Sequence, residues 1–369
     1  LHTAYRRQRQ MCIRDRFRAM VMFDMVRLWG DFPVITTVAD DITSENIDEV
    51  YPQYFPKQNT ELEAYQQIEK DLLDAVLYAP DNTPGNKTLF SKSVARTLLA
   101  KIYAEKPLRD YTKVIQYCDE VKEDGFDLVD DFSDLFGMNA AGTDAKMRNT
   151  KESILEAQFT SGAGNWCTWM FGRDLVNWNN NFTWAKWVTP SRDLISAFKQ
   201  EGDEVRFKES IVYYDCNWSN YYPSDNYPFM YKCRSANSSI IKYRYADVLL
   251  LKAEALIMQD TPDLEGAADI IDEVRDRAKL GALPTSVRSN KNVLLNALLK
   301  ERRLELAFEG QRWFDLVRLD KVEEVMNAVY AKDSGRKAQI YTFDKNSYRL
   351  PIPQSVIDAN DKIHQNPGY

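Results

Sequence analysis

Two adjacent stretches of helical spacing constrain this chain more than any other feature. In Ser91–Glu105 the apolar residues Val94, Leu98 and Ile102 fall on one helix face, and in Asp110–Lys122 Tyr111, Val114, Ile115 and Cys118 do the same. Pro107 breaks the first helix and Gly125 follows the second, so the pair reads as an antiparallel hairpin. Ala95, Ala100 and Ala104 leave room for close helix approach. This is a tetratricopeptide-style unit, although the full repeat pattern is followed only loosely. Such a hairpin cannot bury its apolar face alone and must stack on neighbours. The expected fold is therefore mainly α, with helix pairs forming a scaffold.

The rest of the chain extends this reading. Phe17–Leu28 has helical spacing through Met20, Phe23 and Val26 and stops at Gly30 and Pro33. Residues 31–58, with three prolines, read as an irregular connection. Thr60–Tyr78 is predicted as a helix opened by a capping box, Thr60 with Glu63, and carrying Leu62, Tyr65, Ile68, Leu72 and Val76 on its apolar face. Helical order returns at Tyr243, where Ala246, Leu249, Leu250, Ala253 and Leu256 align, and continues in Leu264–Ala278, Asn292–Phe308 and Gln311–Leu319. The Pro-punctuated end, 348–369, reads as mostly extended.

Periodicity weakens over 126–243, a loop-rich stretch with short strands such as Ser153–Phe159 and one clear helix, Pro190–Gln200. The expected division is thus 17–125 as a helical part and 126–369 as a second part containing a Trp-rich lobe at about 161–231. Residues 1–16 are basic and lack amphipathic order; they read as foreign sequence joined to a truncated protein and are set aside in the fold reading.

Composition excludes several function classes. A net charge of −7 argues against a phosphate-tracking surface and so against nucleic acid. Apolar runs such as Val248–Leu251 are far too short to span a bilayer. The two histidines, His2 and His364, sit at the chain ends, which argues against Ser-His-Asp or Cys-His catalysis and against a His-rich zinc site. The five cysteines form no C-x-x-C; Cys216 and Cys233 are compatible with a bridge across a loop or with free thiols. Phosphate-loop, dinucleotide and zinc-protease motifs are missing, and the acidic run Asp127–Asp134 does not follow the EF-hand pattern. The sequence thus points to no catalytic residue, no metal site and no cofactor.

The aromatics carry the positive signal. Six of eight Trp lie between Trp166 and Trp218, in a region that otherwise favours small polar residues. Trp and Tyr present a flat apolar face with a polar edge, which matches the C–H face and hydroxyl rim of a sugar ring. The candidate ligand-binding residues are Trp166, Trp169, Trp178, Trp184, Trp187, Trp218, Tyr221 and Tyr222; about half of the region's aromatics are expected to pack its own small core instead. Should all prove to be core, the connection 31–57, with Tyr51 and Tyr54, is the fallback site.

A second constellation, ERRLELAFEGQRWFDLVRL (Glu301–Leu319), is dense in charge. Glu301, Glu305, Arg312, Asp315 and Arg318 admit a catalytic reading as paired carboxylates. The structural reading, preferred here, is an ion-pair network on and between two packed helices.

Several segments together resemble the SusD/RagB family of outer-membrane nutrient-binding lipoproteins of Bacteroidetes. FRAMVMFDMVRLWGDFPVI (Phe17–Ile35) looks like the family's early helix and its R-L-aromatic-G-D-x-P ending. SVARTLLAKIYAE, KYRYADVLLLKAEAL and IIDEVRDRAKLGAL are similar to its later helices, Glu301–Leu319 to its most specific signature, and LPIPQSVIDAN…QNPGY to its C-terminal end. The resemblance covers about Phe17–Tyr369 and implies a role without catalysis. It implies capture of oligosaccharide or polysaccharide at the cell surface and delivery to a SusC-like, TonB-dependent β-barrel transporter. It also implies attachment to the outer membrane only through an N-terminal lipid anchor that this chain lacks. Because the ligand site varies among members, the aromatic candidates rest on their chemistry alone. Two other readings stand beside this one: a helical glycoside hydrolase using paired carboxylates, and a tetratricopeptide-type peptide-binding scaffold. Release of reducing ends from glycans would favour the hydrolase, and the Trp-rich lobe disfavours the peptide scaffold.

Overall fold

The structure, a computed structural model, describes residues 2–160, 164–165, 189–216, 222–332 and 342–369, with side chains described from residue 13 onward. Four helices open it: α1 (His2–Trp29), α2 (Glu61–Tyr78), α3 (Lys92–Ala104) and α4 (Tyr111–Glu123). Each packs on the next, α1 on α2, α2 on α3 and α3 on α4. Ala95, Ala100 and Ala104 are fully buried along α3, as close packing on both neighbours requires. The capping box forms as the sequence predicts: Thr60 Oγ1 accepts from Glu63 N at 3.3 Å, and Glu63 Oε2 accepts from Thr60 N at 2.7 Å.

Strand β1 (Ser153–Ala157) follows, then α5 (Arg192–Glu201), α6 (Glu204–Ser210), β2 (Ile211–Tyr214), β3 (Tyr227–Met230) and β4 (Ile240–Arg244). The strands form two antiparallel pairs, β1 with β4 and β2 with β3. The remaining scaffold is α7 (Tyr245–Met258), α8 (Leu264–Arg277), α9 (Lys291–Glu305), α10 (Arg312–Arg318) and α11 (Val322–Lys332). Helix α7 is buried along almost its whole length and contacts α3, α4, α8 and α9. A helix surrounded in this way reads as apolar all round. Its two buried acids, Asp247 and Glu254, are therefore conspicuous. One apolar core runs from Ala19 on α1 through α2–α4 and α7 to Leu298 on α9.

The architecture agrees with the expectation of a mainly α fold with few short strands, and the differences are local. α1 continues without a break from His2 across residue 16, and the buried Arg16 donates to Tyr78 O at 2.7 Å. The helix expected from Tyr243 begins at Tyr245, because Ile240–Arg244 is drawn into a strand by β1 and Arg244 is extended at φ −144° and ψ 159°. The helix expected to reach Phe308 stops at Glu305. There Phe308 and Gly310 take positive φ, 65° and 75°, and turn the chain into α10. Helix α11 was not foreseen.

The C-terminal end ties back to the start of the scaffold. Leu350 N donates to Leu28 O at 2.7 Å, and Asn366 Nδ2 donates to Trp29 O at 2.9 Å. Gly30 ends α1 at φ +72°, a conformation that favours glycine, and an added Cβ would lie 3.2 Å from Arg349 Nε.

Candidate functional site

The charge-dense segment Glu301–Leu319 becomes a buried network broader than two helices. Glu305, on α9, accepts from Arg206 Nη1 at 3.0 Å, Arg244 Nη1 at 2.5 Å and Arg277 Nη2 at 2.5 Å. Glu152, on the approach to β1, accepts from Arg244 and Arg277 as well, at 2.7 and 3.0 Å. A second cluster joins Arg302 to Asp247 and Asp315, Lys101 to Asp247, and Arg318 to Glu254 and Asp315. The turn after α9 aims Glu309 at Lys232 and Arg244. These groups come from α3, α6–α10, β4 and the segments beside β1 and β3, so the expectation of a network confined to two helices is corrected. The cause is that every carboxylate buried in the α7 core needs a counter-charge, and the nearest ones lie on other elements. Arg312 stands outside it: Nη1 donates to Leu299 O at 2.9 Å, and no carboxylate pairs with it among the described residues.

Burial by itself raises the Glu305, Asp247 and Asp315 carboxyls. Arg277, Arg244 and Arg206 overcome this at Glu305, Lys101 and Arg302 at Asp247, and Arg302 and Arg318 at Asp315, so all three lie below their ordinary values. The stability they contribute is complete above their unfolded values, 4.5 for Glu and 3.8 for Asp, and is lost as pH falls through the lower folded values. Glu105 and Asp203, raised first by burial against Arg318 and Arg206, offset part of this slope. The melting temperature is therefore expected to hold between about pH 5 and 7 and to fall steeply below about pH 4.5. A thermal-melt series that stays flat from pH 7 to pH 3 would contradict the network's role.

An open groove lies elsewhere, between α5 and the β2–β3 hairpin, with a volume of about 450 Å3. Ser191 caps α5 by accepting from Leu194 N at 3.1 Å. The helix then buries Leu194, Ile195 and Phe198 and turns Arg192, Ser196, Lys199 and Gln200 outward at i, i+4, i+7 and i+8, one continuous face. The opposite wall comes from Tyr213 on β2 and from Tyr222 and Asn226 ahead of β3. Tyr222 is fixed at three points. Its hydroxyl donates to Pro190 O at 2.7 Å, its ring meets Tyr227 edge-on at 5.6 Å, and the Arg192 guanidinium lies 5.0 Å from its ring centre. Tyr227, buried against Phe229 at 5.2 Å, is packing rather than surface. Aromatic faces bordered by hydroxyl, amide and cationic groups are the chemistry the sequence reading sought.

Of the aromatic candidates, Tyr222 is the one among the described residues, and it lines this groove. Trp166, Trp169, Trp178, Trp184, Trp187, Trp218 and Tyr221 lie outside the described residues. The groove's polar wall, Arg192, Ser196, Lys199 and Gln200, was missed; its signal was the polar face of the expected helix Pro190–Gln200. Tyr51 and Tyr54 of the fallback site are each about half exposed, on a short helical turn within the 31–58 connection. Cys216 and Cys233 are both buried, and Cys216 is a free thiol, so the two form no bridge with each other. In the acidic loop, Lys151 neutralises Asp127 and Asp130, and Lys146 neutralises Asp131 and Asp134.

Known proteins share the fold. Residues 225–369 match the SusD family, and residues 15–104 match a family described as starch-binding and associating with the outer membrane. The SusD-like protein P2 of Formosa agariphila is 29% identical over an alignment covering 95% of this chain and 72% of that protein. Among solved structures, a laminarin-binding SusD-like protein matches with a TM-score of 0.71 at 24% identity, covering 97% of this chain and 78% of that one. A SusD homologue from Bacteroides thetaiotaomicron reaches a TM-score of 0.75 at 23% identity with the same coverage. The matched segments hold most of α1, α2 and α3 and the network-bearing helices α7–α10, so the shared pattern is the scaffold itself, and in it the chain is similar to the SusD/RagB family.

Proposed function

We propose that this protein binds oligosaccharide or polysaccharide without cleaving it and delivers it to a SusC-like, TonB-dependent transporter at the cell surface. The observation that carries the reading is the groove between α5 and the β2–β3 hairpin, where Tyr213 and Tyr222 stand opposite Arg192, Lys199 and Gln200. A ring face removes sugar C–H surface from water, and the polar rim satisfies hydroxyls. The Trp-rich stretch, with Trp166, Trp169, Trp178, Trp184, Trp187, Trp218 and Tyr221, supplies further candidate ligand contacts on the chemistry of its side chains alone. The similarity to the SusD family and the laminarin-binding neighbour support a glycan ligand, and the outer-membrane description of the second matching family supports the location. Attachment would run through N-terminal lipidation of the full-length protein.

The non-catalytic part is supported by the state of the candidate carboxylates: Glu301, Glu305 and Asp315 are buried and bonded to guanidinium groups. A pair committed in this way is not free to protonate a leaving group. Incubation with plant, host and microbial glycans tests this reading. No new reducing ends are expected over hours with any glycan that binds, and steady release from a bound glycan would establish the hydrolase instead.

A further inference from the structure

We propose that the groove between α5 and the β2–β3 hairpin continues across α5 into a second groove, and that the two together hold an internal stretch of a polysaccharide chain. A single sugar or a disaccharide would fill only one of them. This rests on the glycan-binding reading and deepens it by fixing the kind of glycan the site takes.

The second groove lies on the other side of α5, against α9 and α11, with a volume of about 630 Å3. Ser196 and Gln200 line both grooves. The helix explains why. Arg192 and Lys199 turn toward the hairpin, Asp193 and Ala197 turn toward α11, and Ser196 and Gln200, four residues apart, form the crest between them. Both crest residues are exposed, and Gln200 Nε2 donates to Ser196 Oγ at 3.1 Å. A chain leaving the first groove therefore meets a small hydroxyl and an amide at the crest rather than an apolar ridge.

The second groove suits both surfaces of a sugar ring. A surface helix ordinarily packs its apolar stripe into the core. Helix α11 buries only Val322 and sets Val325, Ala328 and Val329, at i, i+3 and i+4, along the open groove. These three offer a floor for C–H surface. The walls from α5 and α9 are polar and their charges are matched: Arg303 donates to Asp193 at 2.6 Å, and Lys300 pairs with Glu201. Such a wall presents acceptors and donors side by side, and a sugar hydroxyl uses both. Each groove has the size of a small-ligand pocket. To reach from one to the other a ligand must cross a helix about 10–12 Å wide with its side chains. An extended chain makes that crossing, and its second contact then forms at a high effective concentration.

The test uses the whole chain and size-fractionated oligosaccharides of about two to eight sugar units, prepared from whichever of laminarin, starch, xylan, polygalacturonate and carrageenan retards the protein most in native gels. Affinity should rise by at least about tenfold from the disaccharide to the hexasaccharide and then level off. Ala328→Glu puts a charged side chain into the second groove at an exposed helix position. It should lower hexasaccharide affinity by about five- to tenfold and leave disaccharide affinity and the melting temperature unchanged. Tyr222→Ala, in the first groove, should weaken both lengths. Equal affinity at every length, or wild-type hexasaccharide binding by the Ala328→Glu protein, would overturn the inference while leaving glycan binding intact. A protein that is dimeric in solution and becomes monomeric on Ala328→Glu would also overturn it, by assigning the second groove to a second copy of the chain. Retardation by none of these polysaccharides would overturn the glycan reading and the inference with it.

Discussion

Glu305→Gln is expected to lower the stability of this protein by about 3–5 kcal/mol, the cost of leaving a buried charge without its partner. Glu305 is the common acceptor of Arg206, Arg244 and Arg277, and the side chains of all four are at most 4% exposed. Gln keeps the shape and removes the negative charge. Three guanidiniums then face one another with Glu152, Glu301, Glu309 and Asp203 as the remaining counter-charges. Thermal melts should show a drop of roughly 5–10 °C. Arg312→Met provides the contrast: Arg312 belongs to the same motif but makes a single bond, to a backbone carbonyl, and its loss should cost about 1 kcal/mol. Equal effects of the two substitutions would show that the network is not organised around Glu305.

Tyr222→Ala should weaken glycan binding by about 1–3 kcal/mol, or roughly five- to 150-fold, if the ring is a stacking surface. Tyr222→Phe keeps the ring and loses the hydrogen bond to Pro190, so it should retain most of the affinity. The melting temperature separates this from a packing role. A core aromatic truncated to Ala costs roughly 3–5 kcal/mol of stability, whereas a groove-lining ring costs much less. A strongly destabilised Tyr222→Ala protein that still binds normally would remove Tyr222 from the site. The same pair of measurements sorts Trp166, Trp169, Trp178, Trp184, Trp187, Trp218 and Tyr221 one residue at a time.

The scaffold was legible in the sequence because its determinants are local. Helical spacing, the Thr60–Glu63 capping box and the stop at Gly30 depend on residues within a few positions of one another, and all three appear where expected. The strands were legible only in part, because they depend on a distant partner. Ile240–Arg244 continues into a helical pattern, and only pairing with Ser153–Ala157, more than eighty residues earlier, makes it extended. The charge network failed in extent for the same reason. Spacing shows that Glu301, Glu305 and Asp315 lie near one another on packed helices, but says nothing of Arg206, Arg244 or Glu152 arriving from elsewhere. The candidate site was half visible. Aromatic enrichment pointed to Tyr222, whereas the cationic face of α5 looked like any solvated helix surface until the β2–β3 hairpin was seen to stand across from it.

The central claim is that this chain binds glycan, and native affinity electrophoresis across a polysaccharide panel tests it most directly. Purified protein run through gels with and without each polysaccharide should be retarded by at least one of them. The retardation should be reversed by soluble oligosaccharide of the same kind and diminished in Tyr222→Ala. Unchanged mobility across neutral, uronate-bearing and sulfated polysaccharides alike, with the protein folded, would contradict the account.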